Sequence, residues 1–146
     1  MKRHHGFTLI EVLLVIAVIA ILASIVIVAI NPARQISQAN NAQRSSNVTA
    51  ILNAVGQYAI NSRGAYPATI TTTATPICTT GTSTSGCIDL SVLTSNQLYL
   101  AAMPCDPLSP NTSSTWYNIS KSSSTNPRIT VSAPAAELGV TISVTR

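Results

Sequence analysis

Charge is what this sequence has least of. Only 8% of its 146 residues are charged, four of them acidic, while 46% are apolar. That balance is too apolar for an ordinary soluble domain and fits one small domain carrying an anchor. Histidine occurs only at positions 4 and 5, and there is no nucleophile elbow, no pair of neighbouring carboxylates and no phosphate-binding loop. Without those groups no catalytic residue, metal ligand or cofactor site is assigned, and the chain does not read as an enzyme. Basic residues are few as well. Lys2 and Arg3 supply half of the net charge of +4, and Arg34, Arg44 and Arg63 form at most a sparse stripe at near-helical intervals. A nucleic-acid footprint needs clustered cations, usually with aromatics between them, so these arginines read as solvating groups on a helix. Past residue 30 the only carboxylates are Asp89, Asp106 and Glu137, a thin supply for calcium.

What the chain does have is concentrated at its start. Phe7 to Ile30 is a run of twenty-four residues whose one ionisable group is Glu11 and whose only hydroxyls are Thr8 and Ser24. As a helix it would extend roughly 36 Å, enough to cross a hydrocarbon core of about 30 Å. Lys2 and Arg3 ahead of the run favour an N-terminus kept in the cytoplasm and a C-terminal part outside, where disulfides persist. A secretory signal would have a shorter apolar stretch and a small-residue cleavage site after it, whereas Asn31-Pro32-Ala33-Arg34 follows here. A plain single-pass anchor fits the length but leaves Glu11 unexplained. A carboxylate inside a bilayer costs about 2–3 kcal/mol and normally marks a pairing function.

The order Lys2-Arg3-His4-His5-Gly6-Phe7-Thr8-Leu9-Ile10-Glu11-Val12 resembles the type IV pilin family, including the pseudopilins of type II secretion. In that family a short basic leader ends in Gly before Phe-Thr-Leu-Ile-Glu and some twenty apolar residues. The resemblance implies cutting by a prepilin peptidase between Gly6 and Phe7, N-methylation of Phe7, and Glu11 as the assembly carboxylate. It further implies partners in copies of the chain itself, within a helical filament, and in the inner-membrane pilus or secretion machinery. Removal of the leader would also remove both histidines. In a dry bundle the Glu11 carboxylate of one copy would meet the Phe7 amine of its neighbour, and low dielectric makes that attraction strong and an unpaired partner costly.

Asn31-Pro32 interrupts the apolar pattern, and Pro32 is expected to kink or locally melt the helix, as a proline does in filament pilins. Beyond it, Val48, Ile51, Leu52, Val55, Tyr58 and Ala59 recur at spacings of three and four, an amphipathic half reaching about Ser62 and stopped by Gly64. Gln43, Arg44, Asn47, Asn53 and Gln57 fall mostly off that face. Residues 69–86, eleven of them Ser or Thr, read as an exposed loop, with Cys78 and Cys87 at the two ends of its eight-residue second half, 79–86. A Cys78–Cys87 staple is one pairing; Cys105 with either of them is the alternative. Met103-Pro104-Cys105-Asp106-Pro107 is similar to a segment near the sheet of pseudopilins. Physically, its prolines set an extended turn in which Asp106 bonds its own backbone. Three runs alternate like strands: 115–119, 128–133 and 140–144. Sequons at Asn47, Asn111 and Asn118 are unremarkable in a chain so rich in Asn, Ser and Thr.

The expected plan is α+β and pilin-like, a long N-terminal helix packed on a small antiparallel sheet. It divides into a leader 1–6, a transmembrane or filament-core helix 7–30, an amphipathic half 31–63 and an exported domain 64–146. The expected function is a structural subunit of a type IV pilus-like filament. The alternatives are a secretion pseudopilin and, in a different class, a monomeric membrane-anchored binding protein.

Overall fold

The computed structural model describes residues 6–80, 82, 84–109 and 113–146; the leader positions 2–5 and the sequon at Asn111 lie outside them. The chain divides into two compact units, Met1–Ile36 and Ser37–Arg146. The first contains helix α1 (Leu9–Ile30), in which no residue is buried. Asn31 ends α1 in the left-handed conformation at φ 48°, which Asn tolerates better than most residues. Pro32 then opens helix α2 (Pro32–Asn61), at the position where a missing N–H costs nothing. The side-chain oxygen of Asn31 accepts from Arg34 N–H at 3.3 Å. One residue therefore serves both helix ends, and the interruption expected at Asn31-Pro32 divides the long N-terminal helix into two.

In the second unit, α2 from Ser37 onward is laid on a four-stranded antiparallel sheet in the order β1-β2-β3-β4. The strands are β1 (Thr75–Cys78), β2 (Ser114–Lys121), β3 (Ile129–Ala133) and β4 (Ile142–Thr145). The last three correspond to the alternating runs. Their register, Ile119 against Val131 and Val131 against Val144, sets the β-branched side chains in one layer facing the helix. The core joins Val48, Ile51, Leu52 and Val55 of α2 to Tyr117, Ile119, Ile129 and Val131 of the sheet. Arg63 and Gly64, both at positive φ, end the helix, and Gly64 N–H reaches back to the Ala59 carbonyl at 2.7 Å.

β1 corrects the reading of residues 69–86 as an exposed loop. Ile70 and Ile77 are fully buried, and Thr75 pairs with Ile119. Two isolated isoleucines in a threonine background make no periodic signal. Paired against β2, however, the β-branched Thr75 and Ile77 suit a strand, and Pro76 is tolerated at the sheet's edge. The segment is further tied by the Cys78–Cys87 disulfide, and Cys105 is free and exposed. Between β1 and α3 (Ser91–Thr94), Ile88 forms a bridge to Ile77.

Arg44 is the second correction. Instead of solvating the helix it is wholly buried. Its Nε and Nη2 donate to the two carboxylate oxygens of Asp106 at 2.7 and 3.1 Å, and Nη1 donates to Glu137 Oε2 at 2.7 Å. A guanidinium in a two-pronged pair satisfies its donors in a way few other groups allow when dry. Asn47 is buried beside it, donating to Tyr117 Oη at 2.9 Å and to the Cys105 carbonyl at 3.1 Å. Asp106 also accepts from Leu108 N–H at 2.9 Å, the local bond expected of it.

Candidate functional site

The residues singled out for assembly lie at the start of α1. Gly6, Phe7 and Thr8 precede the helix, and Phe7 is 83% exposed. Thr8 is the N-cap and Glu11 the third helical residue, and together they form a capping box. Glu11 N–H donates to Thr8 Oγ1 at 3.3 Å, while the Thr8 N–H and hydroxyl both donate to Glu11 Oε2, at 2.8 and 2.9 Å. The spacing Thr-x-x-Glu is the sequence signature of such a cap. Thr8 therefore has a part that reading the segment for charge alone passes over. Its donors, with the positive end of the helix, satisfy a carboxylate that would otherwise be costly in an apolar setting. Glu11 still has acceptor capacity, since an ionised carboxylate takes about four hydrogen bonds.

From Leu9 to Ile30 the helix has no polar face. At about 33 Å it is long and apolar enough to cross a membrane. The large aliphatics of this helix stay between 48 and 82% exposed. Burying each would contribute about 1.5–3 kcal/mol. Such a surface is not stable in water and must be covered by lipid or by protein, which makes α1 a membrane-anchor candidate.

The carboxylates considered for calcium are otherwise engaged. Arg44 holds Asp106 and Glu137, and Asp89 accepts from Ser91 N–H at 2.8 Å. Among the described residues no three His, Cys, Asp or Glu side chains cluster as metal ligands. Of the sequons, Asn47 is buried and bonded, and Asn118 is half-buried in β2.

An apolar N-terminal helix, capped by Thr8 and Glu11, precedes a helix on a small antiparallel sheet, the α+β arrangement of a pilin-like fold. The model of the prokaryotic N-terminal methylation motif matches residues 1–27. That motif belongs to structural, pilin-type precursors and is not an enzyme family. Comparison with curated proteins and with solved structures gives no match.

Proposed function

We propose that the chain is a structural subunit of a type IV pilus-like filament. The observation that carries this is the contiguous Gly6-Phe7-Thr8-Leu9-Ile10-Glu11 placed directly before a helix whose aliphatic surface is wholly uncovered. A prepilin peptidase cuts after Gly6 at the cytoplasmic face, on the side where Lys2 and Arg3 keep the N-terminus. Phe7 is then N-methylated, and residues 7–30 hold the subunit in the membrane with residues 64–146 outside. During assembly α1 exchanges lipid for α1 helices of other copies, and Glu11 pairs with the new Phe7 amine of a neighbour. The Thr8 donors hold Glu11 until that amine arrives. Because an unpaired charge in a dry bundle is costly, the pair sets the axial register of the subunits.

A pseudopilus of a secretion system is the second reading, supported by the likeness of Met103-Pro104-Cys105-Asp106-Pro107 to the pseudopilin segment. Filaments recovered by shearing that are built mainly of this chain favour the first reading. Loss of a secreted substrate on deletion, without such filaments, favours the second.

Glu11→Ala tests assembly directly. Processing after Gly6 should proceed as in the wild type, while sheared filaments disappear; filaments made by the variant would refute the role given to Glu11. Mass spectrometry of the mature N-terminus distinguishes a subunit from a plain monomeric anchor. The expected product begins with methylated Phe7, and an intact Met1 terminus would defeat the filament reading.

A further inference from the structure

The segment from Pro134 to Arg146, comprising the β3–β4 turn and β4, is attached differently from the rest of the sheet. β3 carries Ile129, Val131 and Ala133 into the core, but β4 contributes only the half-buried Ile142 and Val144, and none of its residues is fully buried. Little apolar burial holds it, so its attachment rests on polar contacts. At one end Arg146 exchanges backbone hydrogen bonds with Ile129 and donates from Nη1 to Asn53 Oδ1 at 2.6 Å.

At the other end the turn is clasped through Glu137 by one face of α2, at spacings of three, four and seven residues. Ser37 Oγ donates to Glu137 Oε1 at 2.8 Å, and Asn40 Nδ2 donates to Oε2 at 3.0 Å. Arg44 Nη1 also donates to Oε2, at 2.7 Å. Asn41 grips the main chain, accepting from Glu137 N–H at 3.0 Å and donating to its carbonyl at 2.9 Å. Leu138 and Gly139 follow, both at positive φ, so the turn contains a strained non-glycine residue that opening would relax.

We propose that residues 134–146 are a clasp that opens as a unit, that Glu137 is its release, and that acid opens it and bares the outer edge of β3. The charged groups around Glu137 are Arg44 of α2 and, on the far side of that guanidinium, Asp106 of the loop before β2. Ser37, Asn40 and Asn41 are neutral donors. All the side chains bonded to the carboxylate donate to it, so a proton on Glu137 removes acceptor capacity where every neighbour requires it. Arg44 keeps its bidentate partner Asp106 when this happens, which lets the turn leave without stranding the buried guanidinium. The Glu137 carboxyl is held down from 4.5 to about 2, chiefly by Arg44 and then by Asn40 and Ser37. The closed form is therefore favoured above about pH 4.5 and progressively disfavoured as pH falls toward 2. An opened β3 would offer unpaired backbone groups on a strand flanked by core, the kind of edge that takes up another strand.

Hydrogen exchange of the full chain in detergent micelles, reported as protection factors at pH 6 and pH 3, tests this. In the wild type the amides paired between β3 and β4, with that of Arg146, should lose at least about tenfold in protection at pH 3, while Tyr117 and Ile119 in β2 keep theirs. Glu137→Gln should show low protection of the same amides at both pH values. Asn41→Ala, which removes the main-chain grip and an acceptor of Arg44 Nη1 at 3.0 Å but leaves the Glu137 carboxylate, should lower protection but keep the acid response. Simultaneous loss of protection in β2 and β4 would mean global unfolding and overturn the proposal. So would an acid response that persists undiminished in Glu137→Gln.

Discussion

Arg44 shows how far the environment of one residue departs from what its position in the chain suggests. Flanked by Gln43 and Ser45 on a polar stretch, it looks like a surface group, yet three elements converge on it. Its protonated state is favoured above all by the hydrogen bond to Asp106, so it remains a cation while buried. Removing it leaves Asp106 dry and unpaired, and loss of one partner of a buried pair costs far more than the pair gains. Arg44→Ala should lower unfolding free energy by about 3 kcal/mol in urea titration, and Asp106→Ala should do nearly the same. Glu137 makes a separable contribution. Its depressed pKa means that its stabilisation is complete above about pH 4.5 and lost toward pH 2. Wild-type urea midpoints should thus fall between pH 6 and pH 2.5 more steeply than those of Glu137→Gln. Equal slopes would show that this carboxylate does not couple to folding.

At the scale of elements, β1 is stabilised from both ends of its loop. Cys78 and Cys87 are nine residues apart and bonded, a closure expected to contribute about 2.5–3 kcal/mol through the unfolded chain. Replacing both by serine should reduce stability by about that amount and free the Thr79–Gly86 loop for proteolysis, with β2 to β4 intact; an unchanged midpoint would count against it. Ile77 and Ile88 flank this staple and bury deeply, yet Ile77 is a single aliphatic residue within a Thr/Ser-rich stretch and Ile88 lies just past its end. Neither makes a period, so β1 was illegible, whereas Ile129-Thr130-Val131-Ser132-Ala133 alternates and was readable as a strand. The amphipathic stripe of α2 was equally plain because Val48, Ile51, Leu52 and Val55 repeat over two turns.

At the scale of the whole molecule, the described buried core lies within Ser37–Arg146, and α1 buries nothing. A chain beginning at Ser37 should therefore fold as a soluble monomer in size-exclusion chromatography, with the Cys78–Cys87 bond formed. The full chain should require detergent. Aggregation of the shortened form would show that the second unit depends on α1. The contiguous Gly6-Phe7-Thr8-Leu9-Ile10-Glu11 ahead of an apolar run is legible in the sequence, and the roles proposed for Gly6, Phe7 and Glu11 rest on that order. The Thr8 donors were legible in principle from the capping-box spacing. The Glu137 clasp was not, since its partners are nearly a hundred residues away.

Local order alone, then, determined the apolar N-terminal helix, the methylation-motif opening, the break at Asn31-Pro32, the buried stripe of α2 and three of the four strands. Each is encoded by neighbours or by a short period, and periods of two and 3.6 survive in a linear string. Tertiary structure decided which cysteines meet, that a threonine-rich stretch supplies the sheet's first strand, and that Asp106 and the part-buried Glu137 converge on the buried Arg44. Those outcomes depend on groups distant in sequence becoming adjacent in a dry interior. There a charge is tolerable only when its partners are already in place.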